Sequence, residues 1–455
     1  MAALLSLTAC GGRAGNPGLP ILPQPPNEIY GRRLAPAPKQ SFAPSAFMAN
    51  TSVGIHALQV FDEAHGYIIT EAQGIADGLR YESVWGVRNK RMASAWHTGN
   101  GHLRALLYTP YDTDATGSGL DQPTAWWLAN HPNWILYECD KTTIAYVPGL
   151  HGVPLDIANP AVMRYQTALL GTFAEANGFD GVAADIVSLT NNTGHAASGH
   201  GGCGVWTHAH TAWVAKFSGN SVDPLWAAAT KRWVWGLHHA LHNPAHFPRT
   251  LALAVNANLD GYSAPVNGVG GDPDERFIVA NADIILNEAG FAMWGNYAGD
   301  RAFNNAVGWM EYAQSLAEAT LTTADWDQQS QPPTVAQLDY SIATYLMGKE
   351  QAAALYVGQN PMYGKENYYT EYAAKIGQAC APMYGGPNDP NFRGENVYLR
   401  KYSGGLAVVN VNRTVPYTVG LPKASYRNIE GGNVTSPLTV QPNSGFVLLT
   451  SNGCA

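Results

Sequence analysis

The chain has 455 residues, 46% of them hydrophobic, which is enough for one large packed domain with a smaller one beside it. Only 13% of the residues are charged and the formal net charge is -8, so the chain lacks a basic surface to neutralise a phosphate backbone. This argues against nucleic acid as a partner. The 11% aromatic share suits stacking on sugar rings, although most of these side chains are expected in the core.

Residues 1–10 form a short apolar segment that ends in small residues before a cysteine. The run Leu7-Thr8-Ala9-Cys10 resembles a bacterial lipobox. The resemblance implies cleavage before Cys10, lipidation of its sulfur, and an exported protein anchored to the cell envelope, on the outer leaflet or the periplasmic face. No lysine or arginine precedes Cys10, so a coincidental apolar run stays open as the alternative.

Residues 11–50 are rich in proline and glycine, with Pro-Gln-Pro-Pro at 23–26 and Ala-Pro-Ala-Pro at 35–38. Proline-rich segments are extended and stiff. The composition predicts a tether between the lipid anchor and the folded part of the protein.

From residue 51 to 394, apolar strand-like runs alternate with helical patterns, which is typical of repeated βα units around a parallel sheet. Helix starts are well marked at Asn159-Pro160 and at Asp223-Pro224, and Gly178 ends the first of these two helices. The pattern predicts an α/β fold, a (β/α)8 TIM barrel. The eight predicted strands cover residues 56–61, 81–85, 104–108, 181–187, 250–256, 282–288, 319–326 and 353–358.

The last part of the chain, residues 395–455, reads as a series of short strands, the first two joined at Gly404-Gly405. It predicts a small antiparallel, sandwich-like β domain. Apart from Cys10, four cysteines remain, an even number in a chain expected to be exported. Three pairings are possible, and we favour Cys139 with Cys203 and Cys380 with Cys454 because each pair would join segments expected to be close.

The polar residues that close the apolar runs are the candidates for chemistry, because a TIM barrel carries its active site where its strands end. Asp185 closes the fourth run and Glu288 the sixth, and Asn256 and Asn258 follow the fifth. Two carboxylates in one barrel mouth are what glycoside hydrolysis requires. The alternative for each is a structural carboxylate satisfied by backbone amides.

Several segments together carry a family resemblance: His131-Pro-Asn-Trp-Ile-Leu-Tyr137, Leu155-Asp-Ile-Ala-Asn-Pro160, Gly178-Phe-Asp-Gly-Val-Ala-Ala-Asp185 and Leu286-Asn-Glu-Ala-Gly290. In this order, and with the terminal β module, the chain resembles a bacterial glycoside hydrolase-like TIM-barrel lipoprotein family over residues 55–450. The resemblance implies a retaining or inverting glycosidase with Asp185 and Glu288 as its catalytic pair, for which we expect Asp185 to be the nucleophile, Glu288 the acid/base, and no cofactor to be needed. A nucleophile after strand four and an acid after strand six also resemble dextranase-like and α-galactosidase-like barrels.

The expected substrate is a polysaccharide or oligosaccharide of the cell envelope or the surroundings. The candidate substrate-binding residues are the aromatic and polar side chains near the predicted strand ends: Trp85, Tyr111, Asp112, Trp126, Trp127, Asn256, Asn258 and Trp294.

The loop of residues 191–206, which is rich in histidine and glycine, does not match the family, and it permits a metal interpretation. His200 with Cys203, or His208 with His210, would give ligands for a zinc-dependent polysaccharide deacetylase. We expect no metal, because Cys203 has a disulfide role. A non-catalytic glycan-binding or structural envelope protein on a degenerate barrel is the main alternative to an enzyme.

Overall fold

The computed structural model describes residues 44–60, 69–115, 119–150, 152–257, 259–266, 269–293, 296–326, 332–358, 368–389 and 396–454. Cys10, the other residues of the lipobox and most of the predicted tether lie outside these ranges.

Eight parallel strands form a closed barrel. They are β1 (Ala57–Val60), β2 (Tyr81–Val87), β3 (Arg104–Pro110), β4 (Gly181–Asp185), β5 (Ala252–Asn256), β6 (Ile284–Met293), β7 (Ala319–Asp325) and β8 (Ala353–Gly358). Each strand pairs with the next in the chain, and β8 pairs with β1 to close the ring. The fold prediction is confirmed, and each predicted strand overlaps an observed one.

In the described part of the chain, eight α-helices accompany these strands: α1 (Glu71–Gly78), α2 (Lys90–Gly99), α3 (Thr124–Asn130), α4 (Pro160–Ala176), α5 (Pro224–Leu241), α6 (Pro273–Val279), α7 (Asp300–Ser315) and α8 (Val335–Gly348). Side chains cap the predicted starts: Asn159 accepts a hydrogen bond from the Ala161 amide, and Asp223 accepts one from the Leu225 amide. Gly178 follows α4 with a φ of 78°, a left-handed conformation that glycine adopts readily. Among the described residues, no helix is both long and apolar enough to cross a membrane.

The barrel interior holds a small buried cluster separate from the larger core between strands and helices. Its lining includes many alanines, for example Ala183, Ala254 and Ala354, which suit the narrow space inside an eight-stranded ring. Met48 also belongs to this cluster and is 4% exposed, while the Phe47 carbonyl accepts a hydrogen bond from the Arg104 side chain at the start of β3. Phe47 and Met48 therefore contact the barrel, although the sequence placed them in the tether predicted to end at residue 50.

A small antiparallel sheet extends from the loops that follow β3 and β4. It consists of Tyr137–Glu138, Gly202–Trp206 and Trp213–Ala215. The disulfide Cys139–Cys203, with 5.0 Å between its Cα atoms, joins the first two of these strands. The end of the histidine- and glycine-rich loop that did not match the family, Gly202–Trp206, is thus the central strand of this sheet.

The C-terminal region is antiparallel, as predicted. One sheet contains Tyr384–Gly385, Val397–Tyr402, Gly405–Asn410, Ser444–Leu449, Ser425–Asn428 and Asn433–Thr435 in spatial order, and Tyr417–Val419 pairs with Leu438–Val440 beside it. The first strand lies before residue 395, so the sheet begins earlier than the predicted boundary. The second predicted disulfide, Cys380–Cys454, is also present, with 5.6 Å between its Cα atoms.

A buried arginine fastens this β region to the barrel. Arg400 is 1% exposed, and its guanidinium donates hydrogen bonds to the carbonyls of Leu346, Met347 and Lys349 at the end of α8. It also pairs with the carboxylate of Glu350. The last carbonyls of a helix have no partners within the helix, so Arg400 satisfies groups that burial would otherwise leave unpaired.

Candidate active site

Three polar side chains from neighbouring strands converge at the carboxyl end of the barrel. Asp185 is the last residue of β4, Asn256 is the last residue of β5, and Glu288 lies within β6. The amide nitrogen of Asn256 donates one hydrogen bond to Asp185 Oδ1 at 2.7 Å and one to Glu288 Oε2 at 2.6 Å. The two carboxylates predicted as a pair are therefore brought together, and an amide predicted to bind substrate joins them.

Strand alternation explains why these three side chains meet. The residues two positions before them, Ala183, Ala254 and Leu286, belong to the cluster inside the barrel. Residues two apart on a strand point to the same face, so the three polar residues also face the interior. Adjacent parallel strands then place their ends side by side, with Ala184 opposite Val255 and Asn256 opposite Leu286.

The shared amide limits the distance between the two carboxylates. Asp185 Oδ1 and Glu288 Oε2 contact the same nitrogen at 2.7 and 2.6 Å, so these oxygens can be no farther apart than the sum of the two distances. These two oxygens therefore lie at most about 5.3 Å apart, which is compatible with the roughly 5–5.5 Å between carboxyl groups in retaining glycosidases.

The Asp185 carboxylate has two further donors. The hydroxyl of Tyr108 donates to Oδ2 at 2.5 Å, and the backbone amide of Ile186 donates to Oδ1 at 2.9 Å. With the Asn256 amide, three donors fix the orientation of this side chain. The sequence analysis proposed Tyr111 and Asp112, which follow β3, and missed Tyr108. Tyr108 lies near the end of an apolar strand, two residues after Leu106, and this spacing predicts that both side chains face the barrel interior.

The backbone is strained directly after the carboxylate. Ile186 has a φ of 50°, a left-handed conformation that a β-branched residue rarely adopts. Such strain costs on the order of 1–3 kcal/mol and tends to occur at functional sites. Here it accompanies the hydrogen bond from the Ile186 amide back to the Asp185 side chain.

Asp112 lies buried behind the site and is 1% exposed. Burial, together with a smaller contribution from the negative charge of Asp185, raises the pKa of its carboxyl to about 7, against a backbone hydrogen bond that lowers it. Its Oδ1 atom has no hydrogen-bond partner among the described residues. The predicted contact of Asp112 with substrate stays a prediction.

Three predicted sugar-stacking residues are buried in the structure, which corrects the expectation. Trp85 is 3% exposed and fills the barrel interior. Tyr111 is fully buried, and its hydroxyl donates to the Ser188 carbonyl at 3.1 Å. Trp127 is 1% exposed and donates from its indole nitrogen to Asp114 at 3.0 Å. Their rings are enclosed by protein and present no face to a ligand.

Trp126 is partly exposed and belongs to an aromatic cluster beside the small antiparallel sheet. Its ring lies 5.1 Å from that of Trp127 and 5.4 Å from that of His131. It remains a candidate for sugar stacking. Asn258 and Trp294 lie outside the described residues.

The histidine-rich loop does not provide the zinc ligands that the deacetylase alternative required. Cys203 is joined to Cys139, so its sulfur is not a free thiolate. The Nδ1 atom of His195 instead contacts Glu138 at 2.8 Å. The proposed ligand pair of His200 and Cys203 is therefore wrong.

An open cleft of about 580 Å³ lies beside this Glu138–His195 contact. Its lining is otherwise largely residues 143–150, among them Ile144, Tyr146 and Leu150. The cleft contains neither Asp185 nor Glu288. It is a feature of the loops that carry the small sheet and is separate from the carboxylate pair.

No family model and no curated protein matches the chain. Among solved structures, the matches include a noncanonic maltogenic α-amylase from Thermotoga neapolitana (TM-score 0.44, 12% identity, 87% of this chain and 96% of that one). Another is an α-galactosidase from Lactobacillus brevis (TM-score 0.43, 13% identity, 88% of this chain and 55% of that one). A third is an α-amylase from Geobacillus thermoleovorans in complex with acarbose (TM-score 0.38, 11% identity, 83% of this chain and 90% of that one). At these scores, the barrel assignment rests on the closed ring of eight parallel strands itself.

Proposed function

We propose that the protein is a retaining glycoside hydrolase that acts on a polysaccharide or oligosaccharide. The observation that carries the proposal is the single amide nitrogen of Asn256, which contacts a carboxylate oxygen of Asp185 and one of Glu288. Two carboxylates held close together at the carboxyl end of a barrel suit double displacement, which needs a nucleophile and an acid/base beside one glycosidic bond.

In the first step, Asp185 attacks the anomeric carbon and Glu288 donates its proton to the glycosidic oxygen. The bond from the anomeric carbon to that oxygen breaks, the leaving sugar departs as an alcohol, and an ester to Asp185 forms. Asp185 suits the nucleophile role because Tyr108, Asn256 and the Ile186 amide orient its carboxylate.

In the second step, Glu288 removes a proton from water, and the resulting hydroxide attacks the anomeric carbon. The ester bond to Asp185 breaks, the sugar is released with its original configuration, and Glu288 is protonated again. No cofactor takes part in either step.

Hydrolysis of a polysaccharide panel by the wild-type chain and by Asp185→Asn tests the assignment. The substitution keeps the side-chain shape and removes the nucleophile, so turnover should fall by a factor on the order of 10⁴ or more while the circular dichroism spectrum stays unchanged. The matched control is Asp121→Asn, at an exposed position, which should retain full activity. Undiminished hydrolysis by Asp185→Asn would contradict the proposal, and glycan binding without turnover by the wild type would favour the binding-protein alternative.

The role of Glu288 is tested separately with aryl glycosides. Glu288→Gln should hydrolyse substrates with poor leaving groups far more slowly, but it should still release an activated nitrophenol, which needs no protonation. Proton NMR of the first product of the wild-type enzyme should show the substrate's anomeric configuration. An inverted first product would overturn the retaining mechanism.

We further propose a lipid anchor at Cys10, which would place the enzyme on the cell envelope. Support comes from the Leu7-Thr8-Ala9-Cys10 sequence and from the disulfides Cys139–Cys203 and Cys380–Cys454, a type of bond that persists in oxidising compartments. Mass spectrometry of the mature protein from a bacterial host should find a lipidated N-terminal cysteine, and Cys10→Ser should abolish it. An unprocessed, unlipidated N-terminus in the wild type would refute the anchor.

A further inference from the structure

At the end of the barrel opposite to Asp185, two histidines and an aspartate form a compact cluster that the proposed hydrolysis does not use. His238 lies in the last turn of α5 and His242 follows the helix, so that the two residues are four apart and share one face. Asp283 directly precedes β6. The amino end of β6 carries this cluster, whereas Glu288 lies further along the same strand.

The three side chains already present their ligand atoms to one another. His238 Nε2 lies 3.4 Å from Asp283 Oδ1, and His242 Nε2 lies 2.9 Å from Asp283 Oδ2. One ligand atom from each residue fits within 4.8 Å of the other two. Ligands on a tetrahedral zinc ion with bonds of about 2.0–2.1 Å are separated by roughly 3.3 Å, so little movement is needed to enclose an ion.

The aspartate is held in place independently of the histidines. The backbone amide of Leu253, on the adjacent strand β5, donates to Asp283 Oδ2 at 2.8 Å. Asp283 is 8% exposed, while the side chains of His238 and His242 are 21% and 30% exposed. A rigid buried carboxylate with two accessible imidazoles leaves a route for an ion and one open coordination position.

A second buried acid lies beside this cluster. Glu318 directly precedes β7, whose first residue, Ala319, pairs with Ile284 at the start of β6. It is 8% exposed, and among the described residues its Oε2 atom has no hydrogen-bond partner. Within the described part of the chain, neither Glu318 nor Asp283 forms an ion pair with a lysine or arginine, so the histidines are the basic partners of Asp283.

We propose that His238, His242 and Asp283 bind a divalent transition-metal ion of the zinc class. Two imidazole nitrogens and one carboxylate oxygen are ligands that zinc accepts, and a water molecule would complete the tetrahedron. The ion ties the end of α5 to the start of β6. Because the site lies at the amino end of the strands, its role is to stabilise the barrel, and it is independent of the proposed hydrolase activity.

Calorimetric titration of the untagged, chelator-treated full chain with ZnCl₂ tests the proposal. We expect one high-affinity ion per chain and a higher melting temperature in its presence. His238→Gln and His242→Gln should each weaken binding at least tenfold and remove the increase in melting temperature. The matched control is His239→Gln, whose imidazole contacts the Trp235 carbonyl and lies outside the cluster, so zinc binding should be unchanged.

A measurement on the wild-type chain alone keeps the test decisive if a variant does not fold. Zinc should protect His238 and His242, but not His239, from modification by diethyl pyrocarbonate, as mapped by peptide mass spectrometry. Equal modification of His238 and His242 with and without zinc would overturn the proposal. So would zinc affinity that is the same in folded His238→Gln, His242→Gln and wild-type proteins.

Discussion

At the residue scale, Asn256 is the residue through which the two carboxylates are held. Its amide is 4% exposed and uses both hydrogens of one nitrogen on two acids, which would otherwise repel each other at this distance. The sequence analysis gave Asn256 only as a candidate substrate-binding residue, whereas in the structure it also holds Asp185 and Glu288 in position.

Replacing Asn256 by leucine keeps the volume and removes both donors. We expect kcat to fall by roughly 10²-fold or more, because the orientation of Asp185 and Glu288 is lost, with a smaller change in KM. The control is Asn287→Leu, at the neighbouring position of β6 whose alternation turns it away from the barrel interior, and it should retain kcat. Equal losses in both variants would mean that the effect is on folding and not on the pair.

Asp112 gives a pH-dependent prediction. Burial raises its pKa from 3.8 to about 7, so the folded state binds more protons than the unfolded state between these values. Stability therefore falls as pH rises through this range, by at most about 4 kcal/mol from this group. Asp112→Asn should raise the free energy of unfolding at pH 8 and change it little near pH 4, as measured by urea denaturation. A stabilisation equal at both pH values would refute the charge explanation.

At the element scale, α8 depends on a residue from another part of the chain. Arg400 supplies donors to the last carbonyls of this helix and a counter-charge to Glu350. Local sequence patterns predict α8 and the strand Val397–Tyr402 separately. They do not show that Arg400 of this strand donates hydrogen bonds to the last carbonyls of the helix.

Arg400→Met should therefore destabilise the protein on the order of 3–5 kcal/mol, since it leaves a buried carboxylate and several carbonyls without a partner. Urea unfolding of the purified variant measures the change. Arg427→Met, at an exposed position on the same sheet, is the matched control and should alter stability by less than about 0.5 kcal/mol. A loss for Arg400→Met no larger than for this control would show that the junction contributes little.

At the scale of the whole molecule, the loops after β3 and β4 form an additional sheet that stands on the carboxyl end of the barrel. The Cys139–Cys203 disulfide joins its strands, and its aromatic neighbours include Trp126, Trp206 and Trp213. Because these three tryptophans are partly exposed, they are candidates for contact with a long glycan, the substrate class proposed above. Their partial exposure contrasts with the burial of Trp85 and Trp127.

Replacing both cysteines of the Cys139–Cys203 disulfide tests whether the additional sheet contributes to activity. The Cys139→Ser/Cys203→Ser double variant should lose more activity on polymeric substrate than on a small aryl glycoside, because the additional sheet loosens while the pair of Asp185 and Glu288 stays on the barrel. Rates on the two substrates provide the comparison. An equal loss on both would show that the sheet also supports the pair itself.

Sequence alone was sufficient to predict the barrel fold, because each strand and helix is determined largely by its own residues. The apolar runs, the helix caps Asn159 and Asp223, and Gly178 at the end of α4 are local patterns of this kind. The sequence also predicted that Asp185 and Glu288 would lie together, since a carboxylate at the end of a buried strand is unusual and the ends of parallel barrel strands meet at one face. Tertiary structure alone decided that Asn256 and Tyr108 hold this pair, that Tyr111 and Trp127 are core residues, and that His238, His242 and Asp283 meet. These facts depend on which strands become neighbours and which face each side chain takes after the ring closes, and both are set by packing between segments far apart in the chain.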